Sequence, residues 1–208
     1  ALAYGAKEST GILMPLLICG DIFAVSYYKR HVKWRYIIKL IPWMILGVLF
    51  GVITGNNISE KLFQYGMALI IILSVSLMYY WDTKKKEISK NLIFGPSMGL
   101  LAGFTTMIGN LAGAFSNIYF LAMRLPKNEF IGTSSWLFFI INVFKIPFHI
   151  FFWKTITLKS LIISSKLLPF VIIGLLIGVL VVKKIENKNY RKLILILTAI
   201  GGVAILFK

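Results

Sequence analysis

Apolar residues fall along this chain in long runs separated by short polar clusters: Thr10 to Tyr28, Tyr36 to Gly55, Leu62 to Trp81, Leu92 to Arg124, Phe130 to Trp153, Ser165 to Val182 and Arg191 to Phe207. A helix needs about 20 mostly apolar residues to cross a bilayer. Six of the runs predict full transmembrane helices. The run Leu92 to Arg124 is too long for one straight span and too short for two. It contains "GNLAG" (109–113), and glycine is a poor helix interior, so it predicts two half-helices around a break. The fold class is therefore an all-α polytopic membrane protein.

The chain also matches itself. "LIPWMILGVLFGV" (40–52) aligns with "LLPFVIIGLLIGV" (167–179) at an offset of 127, which puts Pro42, Gly47 and Gly51 on Pro169, Gly174 and Gly178. Upstream, "GILMPLLICGDIF" (11–23) aligns with "GTSSWLFFIINVF" (132–144) at an offset of 121, with Gly11 on Gly132 and Asp21 on Asn142. Two homologous halves account for both matches. Residues 1–81 form the first repeat, 82–91 a basic linker and 92–208 the second repeat, all within one transmembrane domain. The broken run has no partner in the first half. The chain begins "ALAYGAKESTG", unlike a signal peptide, and the expectation is that an N-terminal segment is missing.

Charge orients these runs. If the broken segment turns back, 15 Lys/Arg in the clusters 29–35, 84–90, 124–127 and 183–192 share one side, against six on the other. If it crosses, the division is 12 against nine. The positive-inside rule favours re-entry. Each half then has three full spans, an odd number, so the halves are inverted relative to each other, as in many secondary transporters.

Composition narrows the functional classes. The 208 residues are 58% hydrophobic, with a formal net charge of +16 and a mean hydropathy of +0.83. Basic residues between apolar runs, as in "KRHVKWR" (29–35), read as topology anchors facing anionic lipid headgroups; no nucleic acid is implied. A lone cysteine, Cys19, and two separated histidines, His31 and His149, exclude a cysteine-based metal site and predict no metal or cofactor. No phosphate-binding Gly-x4-Gly-Lys-Ser/Thr loop is present. An enzyme lacks its nucleophile and base.

Two charges, Asp21 and Lys145, sit inside apolar runs, where each costs about 2.5 to 3.5 kcal/mol on insertion scales. Ser135, Asn142, Lys145 and His149 are spaced to share one helix face, a polar stripe that should face the protein interior. Pro147 cannot donate to the Val143 carbonyl, leaving an acceptor near Lys145. A half-helix starting near Gly113 would aim unpaired N–H groups and a positive dipole end into the membrane. Thr105, Thr106, Asn110, Asn117, Asn142 and Lys145 are therefore the candidate substrate-binding residues, for a small anion. Asp21 is the candidate proton carrier, and Gly109, Gly113 and Pro147 are structural. The plainer readings are an Asp21–Lys145 pair that locks two helices, and a small-residue packing face at Gly109 and Gly113. For Gly47 and Gly51, and for Gly174 and Gly178, packing is the better reading.

Four stretches together resemble the TauE/SafE sulfite exporter family of prokaryotic membrane proteins: 11–35, "LIPWMILGVLFG" (40–51), "GLLAGFTTMIGNLAGAFSNIYFLA" (99–122) and "FIGTSSWLFFIINVFKIP" (130–147). The resemblance covers essentially the whole chain, except for an additional N-terminal segment with a glycine-rich break that the family pattern usually has. It implies a multi-pass protein of the prokaryotic cell membrane that exports sulfite, sulfoacetate or related sulfonates by a secondary mechanism. The resulting expectation is an alternating-access anion exporter, with proton coupling through Asp21. An anion channel or a membrane assembly subunit is the alternative, and an intramembrane enzyme ranks below both. A homo-oligomer is compatible with the pattern.

Overall fold

The computed structural model describes residues 5–56 and 92–186 continuously, with single positions and pairs between 58 and 80 and between 189 and 200. Within these residues the chain is helical and contains no strand. The principal helices are α1 (Ala6–Tyr28), α2 (Trp34–Asn56), α3 (Phe94–Gly109), α4 (Gly113–Ala122), α5 (Lys127–Pro147) and α6 (Leu158–Lys184). A 3-10 turn, Lys29–His31, follows α1, and a π-helical stretch, Phe148–Phe152, follows α5. Four segments are long and apolar enough to cross a membrane: Lys7–His31, Trp34–Gly55, Lys127–Phe152 and Leu158–Lys184. The expected spans Leu62 to Trp81 and Arg191 to Phe207 fall largely outside the described residues, and the 82–91 linker entirely.

Glycine sets the closest helix contact. Gly47 and Gly51 of α2 face Leu100, Phe104 and Met107 of α3, while Gly99 and Gly103 of α3 face Leu40, Trp43 and Met44 of α2. A Cβ at Gly103 would meet the Met44 carbonyl carbon and Cα at 2.7 Å, and one at Gly47 the Phe104 nitrogen at 2.7 Å. Both obstacles are backbone, which cannot rotate away. Small residues on both partners let the two backbones touch, which in lipid substitutes dispersion for the missing hydrophobic drive. Leu40, Met44, Val48, Ala102 and Met107 fill the buried seam. The repeat-equivalent Gly174 and Gly178 differ: a Cβ added at either would meet no atom of another described element within 4 Å. They border an apolar groove between α1 and α6 that Phe23 and Tyr28 also line. Among the described residues, helix packing accounts for the first glycine pair.

Directions follow from the contacts. Down α1, Gly11 meets Thr155, Asp21 meets Asn142 and Tyr28 meets Gly132, so α1 and α5 are antiparallel. Ser164 Oγ donates to the Ile12 carbonyl at 2.6 Å and Lys183 lies over the Tyr27 ring, so α1 and α6 are parallel. Likewise the Lys33 N–H donates to Thr133 Oγ1 at 3.0 Å and Trp153 Nε1 to the Val52 carbonyl at 3.1 Å. This makes α2 and α5 parallel. The Tyr119 ring in α4 lies 6.1 Å from that of Phe94 at the start of α3, so α4 runs back toward the end from which α3 entered.

Most of α6 is exposed apolar surface, including Phe170, Ile173, Leu176, Ile177 and Leu180. Such a helix would be costly in water and suits hydrocarbon, where its backbone groups pair internally. Its first turn carries a capping box, with the Ser160 N–H donating to Thr157 Oγ1 at 3.2 Å and the Thr157 N–H to Ser160 Oγ at 2.8 Å. At its other end Lys127 Nζ donates to the Val182 and Ile185 carbonyls at 3.0 and 2.6 Å. A cation there meets the negative end of the helix dipole.

Candidate functional site

The interval between α3 and α4 is three residues, 110–112. Asn110 adopts the left-handed conformation, φ 57°, which asparagine tolerates better than most non-glycine residues. Its N–H donates to the Thr106 carbonyl at 3.0 Å, and that of Leu111 to the Thr105 carbonyl at 3.3 Å, so two carbonyls near the end of α3 are occupied. Thr105 Oγ1 lies 3.1 Å from the Leu111 carbonyl and 3.3 Å from that of Ala102, tying the two half-helices together across the break. The first turn of α4 has no side-chain cap. A Cβ at Gly113 would meet Asn117 Nδ2 at 3.0 Å, close enough that the Asn117 side chain would have to give way.

Lys145 reaches this break from α5. It is 0% exposed. Its ammonium makes three hydrogen bonds: to the Thr106 carbonyl at 3.0 Å, to Thr106 Oγ1 at 2.9 Å and to Asn110 Oδ1 at 2.9 Å. All three N–H donors of a lysine are thereby used. Asn110 Nδ2 donates in turn to the Thr10 carbonyl of α1 at 3.0 Å. One side chain thus joins α1, the α3–α4 break and α5. The charge sits at the C-terminal end of α3, where carbonyl dipoles favour a cation.

Asp21 makes a separate contact. Its Oδ2 accepts from Asn142 Nδ2 at 2.7 Å, and it is not within ion-pair distance of Lys145. The reading in which Asp21 and Lys145 lock two helices is thereby overturned. All four stripe residues are buried: Ser135 at 6%, Asn142 at 5%, Lys145 at 0% and His149 at 0% exposed. Pro147 closes α5, and the backbone widens into the π-helical turn after it. That turn places His149 Nδ1 2.8 Å from Thr155 Oγ1, while His149 Nε2 is buried without a partner among the described residues.

The structure therefore gathers Thr106, Asn110 and Lys145 into one cluster, with Thr105 just behind it. Asn142 and Asp21 pair with each other, and Asn117 folds over the start of α4. Sequence reasoning missed the Thr10 carbonyl and Thr155. Nothing in the sequence marks a backbone acceptor, and Thr155 lies beyond the helical stripe. His149 was visible only as the last member of the stripe. Among the described residues, no three of His, Cys, Asp and Glu come together as metal ligands would.

Residues 1–205 match the family described as sulfite exporter TauE/SafE. The chain belongs to the TauE/SafE sulfite exporter family. As a TauE/SafE exporter it is a multi-pass membrane transporter and not an enzyme, and membership suggests export of a small sulfur-containing anion. Comparison with curated proteins finds no match, and neither does comparison with solved structures.

Proposed function

We propose that this exporter moves a small oxyanion, sulfite or an organosulfonate, by alternating access of two inverted repeats, 1–81 and 92–208, joined by the 82–91 linker. The observation that carries the reading is the buried Lys145 ammonium, bonded to oxygens of Thr106 and Asn110 at a helix break and to no carboxylate. These oxygens are what an incoming oxyanion would replace. Displacing Asn110 from Lys145 loosens its tie to Thr10 as well, so occupancy is coupled to the hold between α1 and the break. Gly109, Asn110, Leu111, Gly113 and Asn117 are only half-buried, which leaves the break approachable.

Inversion is supported by direction. Helices α1 and α5 occupy equivalent places in the repeat and run oppositely, and the parallel pairs α1–α6 and α2–α5 are those a twofold axis would exchange. Asp21 and Asn142, equivalent at an offset of 121, bond directly to each other. Equivalent residues meet in this way on a twofold axis. Re-entry of the α3–α4 segment is supported by Tyr119 lying against Phe94. A carrier is preferred to a channel because the only buried cation among the described residues is enclosed by protein oxygens.

Asp21 would carry the coupling proton: it is a half-buried carboxylate within α1, bonded to the Asn142 amide and to no cation among the described residues. The test is sulfite flux in proteoliposomes with and without an imposed pH gradient. Wild type should show saturable flux that a pH gradient drives uphill. Asp21→Asn should keep downhill flux and lose the response to the gradient. A gradient response that survives Asp21→Asn removes Asp21 from the mechanism, and flux that never saturates rejects a carrier.

A further inference from the structure

A second cationic feature lies at the end of the molecule where α1 begins and α5 gives way to α6. A cavity of about 360 Å³ is lined there by Lys7, Glu8, Lys154, Thr155, Lys159 and Ser160, among others. Three ammonium groups face one carboxylate. Lys154 and Lys159 make no ion pair among the described residues. Like charges gathered in a concavity repel one another unless an anion lies between them.

Lys154 and Lys159 are exposed, while the Lys7 side chain and the Lys154 backbone are held in place. Lys7 Nζ stands 5.1 Å from the centre of the Trp153 ring, an arrangement favoured by the ring quadrupole. That indole is fixed by its bond to the Val52 carbonyl at 3.1 Å. Lys154 has φ 52°, a left-handed conformation uncommon outside glycine and asparagine. Two bonds after it enforce the turn: the N–H groups of Thr155 and Ile156 both donate to the His149 carbonyl, at 3.0 and 3.3 Å. Gly11 allows α1 to press on this loop, since a Cβ there would meet the Thr155 Cβ at 2.7 Å. Thr155 also leads inward, through its bond to His149, one helical turn from Lys145. The buried His149 Nε2, unpartnered among the described residues, lies on this line.

We infer that this cavity is an oxyanion-binding vestibule, distinct from the Lys145 cluster. Its ligand class is a small oxyanion bearing sulfite, sulfonate or phosphate oxygens, which a dissolved anion or the phosphate of an anionic lipid headgroup can supply. Lys154 and Lys159 provide the charge and Lys7 closes the inner wall. With 15 Lys/Arg assigned to the opposite side by the charge pattern, the vestibule lies on the less basic face, where export would release the anion.

Binding of radiolabelled sulfite to the full chain in nanodiscs of phosphatidylcholine alone tests this. The measurement uses a Lys145→Met background, which silences the deeper cluster. Saturable binding should persist there and weaken about fivefold for each of Lys154→Gln and Lys159→Gln, the worth of one basic side chain at a membrane surface. Lys154→Arg and Lys159→Arg should retain it. If the ligand is lipid, the same discs show no sulfite binding. Phosphatidylglycerol is then retained in native mass spectra of protein from mixed discs, and lost in the Lys154→Gln/Lys159→Gln double variant. The inference is overturned if neither sulfite binding nor phosphatidylglycerol retention responds to the two substitutions. Vestibule binding in a protein that fails the flux test above would reject the transport reading and leave the vestibule standing.

Discussion

Lys145→Met should lower sulfite flux in proteoliposomes by about tenfold to a hundredfold, the loss expected for a charge-assisted hydrogen bond of roughly 1.5 to 3 kcal/mol. Stability should change far less, because two effects oppose each other. Methionine nearly preserves length and removes a charge whose burial is expensive. It also leaves Asn110 Oδ1 and both Thr106 oxygens without the donor they now have, at about 1 to 3 kcal/mol for each group left unsatisfied. The Thr106 carbonyl keeps the Asn110 N–H as a donor, so the penalty is only partly realised. Lys145→Arg keeps the charge, but a planar guanidinium cannot direct three donors onto the same convergent oxygens. It should fold and transport poorly. The measurements are initial flux rate and thermal unfolding in detergent on the same preparations. A Lys145→Met protein with normal flux and a large loss of stability would show the lysine to be a structural tie only.

How far this cluster can be read from sequence depends on the kind of contact. Lys145 and Asn142 stand out because polar residues on an apolar helix must face inward, and spacing alone puts them on one face with Ser135 and His149. The break is visible because two glycines four residues apart in "GNLAG" weaken a helix from within. What spacing cannot supply is the partner. Asp21 and Lys145 look like a natural ion pair in sequence, yet Asp21 bonds to Asn142 and Lys145 to the break. The choice is made by depth: the antiparallel run of α1 and α5 sets Asp21 beside Asn142, and the long lysine side chain extends to α3. The negative end of α3 then attracts it, although the sequence pointed first to the positive end of α4. Backbone partners such as the Thr10 carbonyl carry no sequence signal at all.

Gly103→Ala should be the most destabilising single substitution among the glycines considered, costing about 1 to 3 kcal/mol or more as an overpacked interface. The added methyl would meet the Met44 carbonyl carbon and Cα at 2.7 Å. Backbone cannot turn aside, so α2 and α3 must separate. Thr106 and Asn110 ride on the end of α3, and a shift of about 0.5 Å is enough to degrade a preorganised site, so flux should fall together with stability. Gly174→Ala and Gly178→Ala are the controls. There an added Cβ meets no atom of another described element within 4 Å, and helix propensity favours alanine by about 1 kcal/mol. By sequence, Gly51 and Gly178 are equivalent members of one repeated motif, and Gly47 pairs with Gly174 in the same way. Among the described residues, only the first pair has a helix against it. Equal thermal shifts for Gly103→Ala and Gly174→Ala would mean that the close approach of α2 and α3 does not carry the stability assigned to it. A loss confined to Gly103→Ala, with flux and melting temperature falling together, ties transport to the seam that holds the break in place.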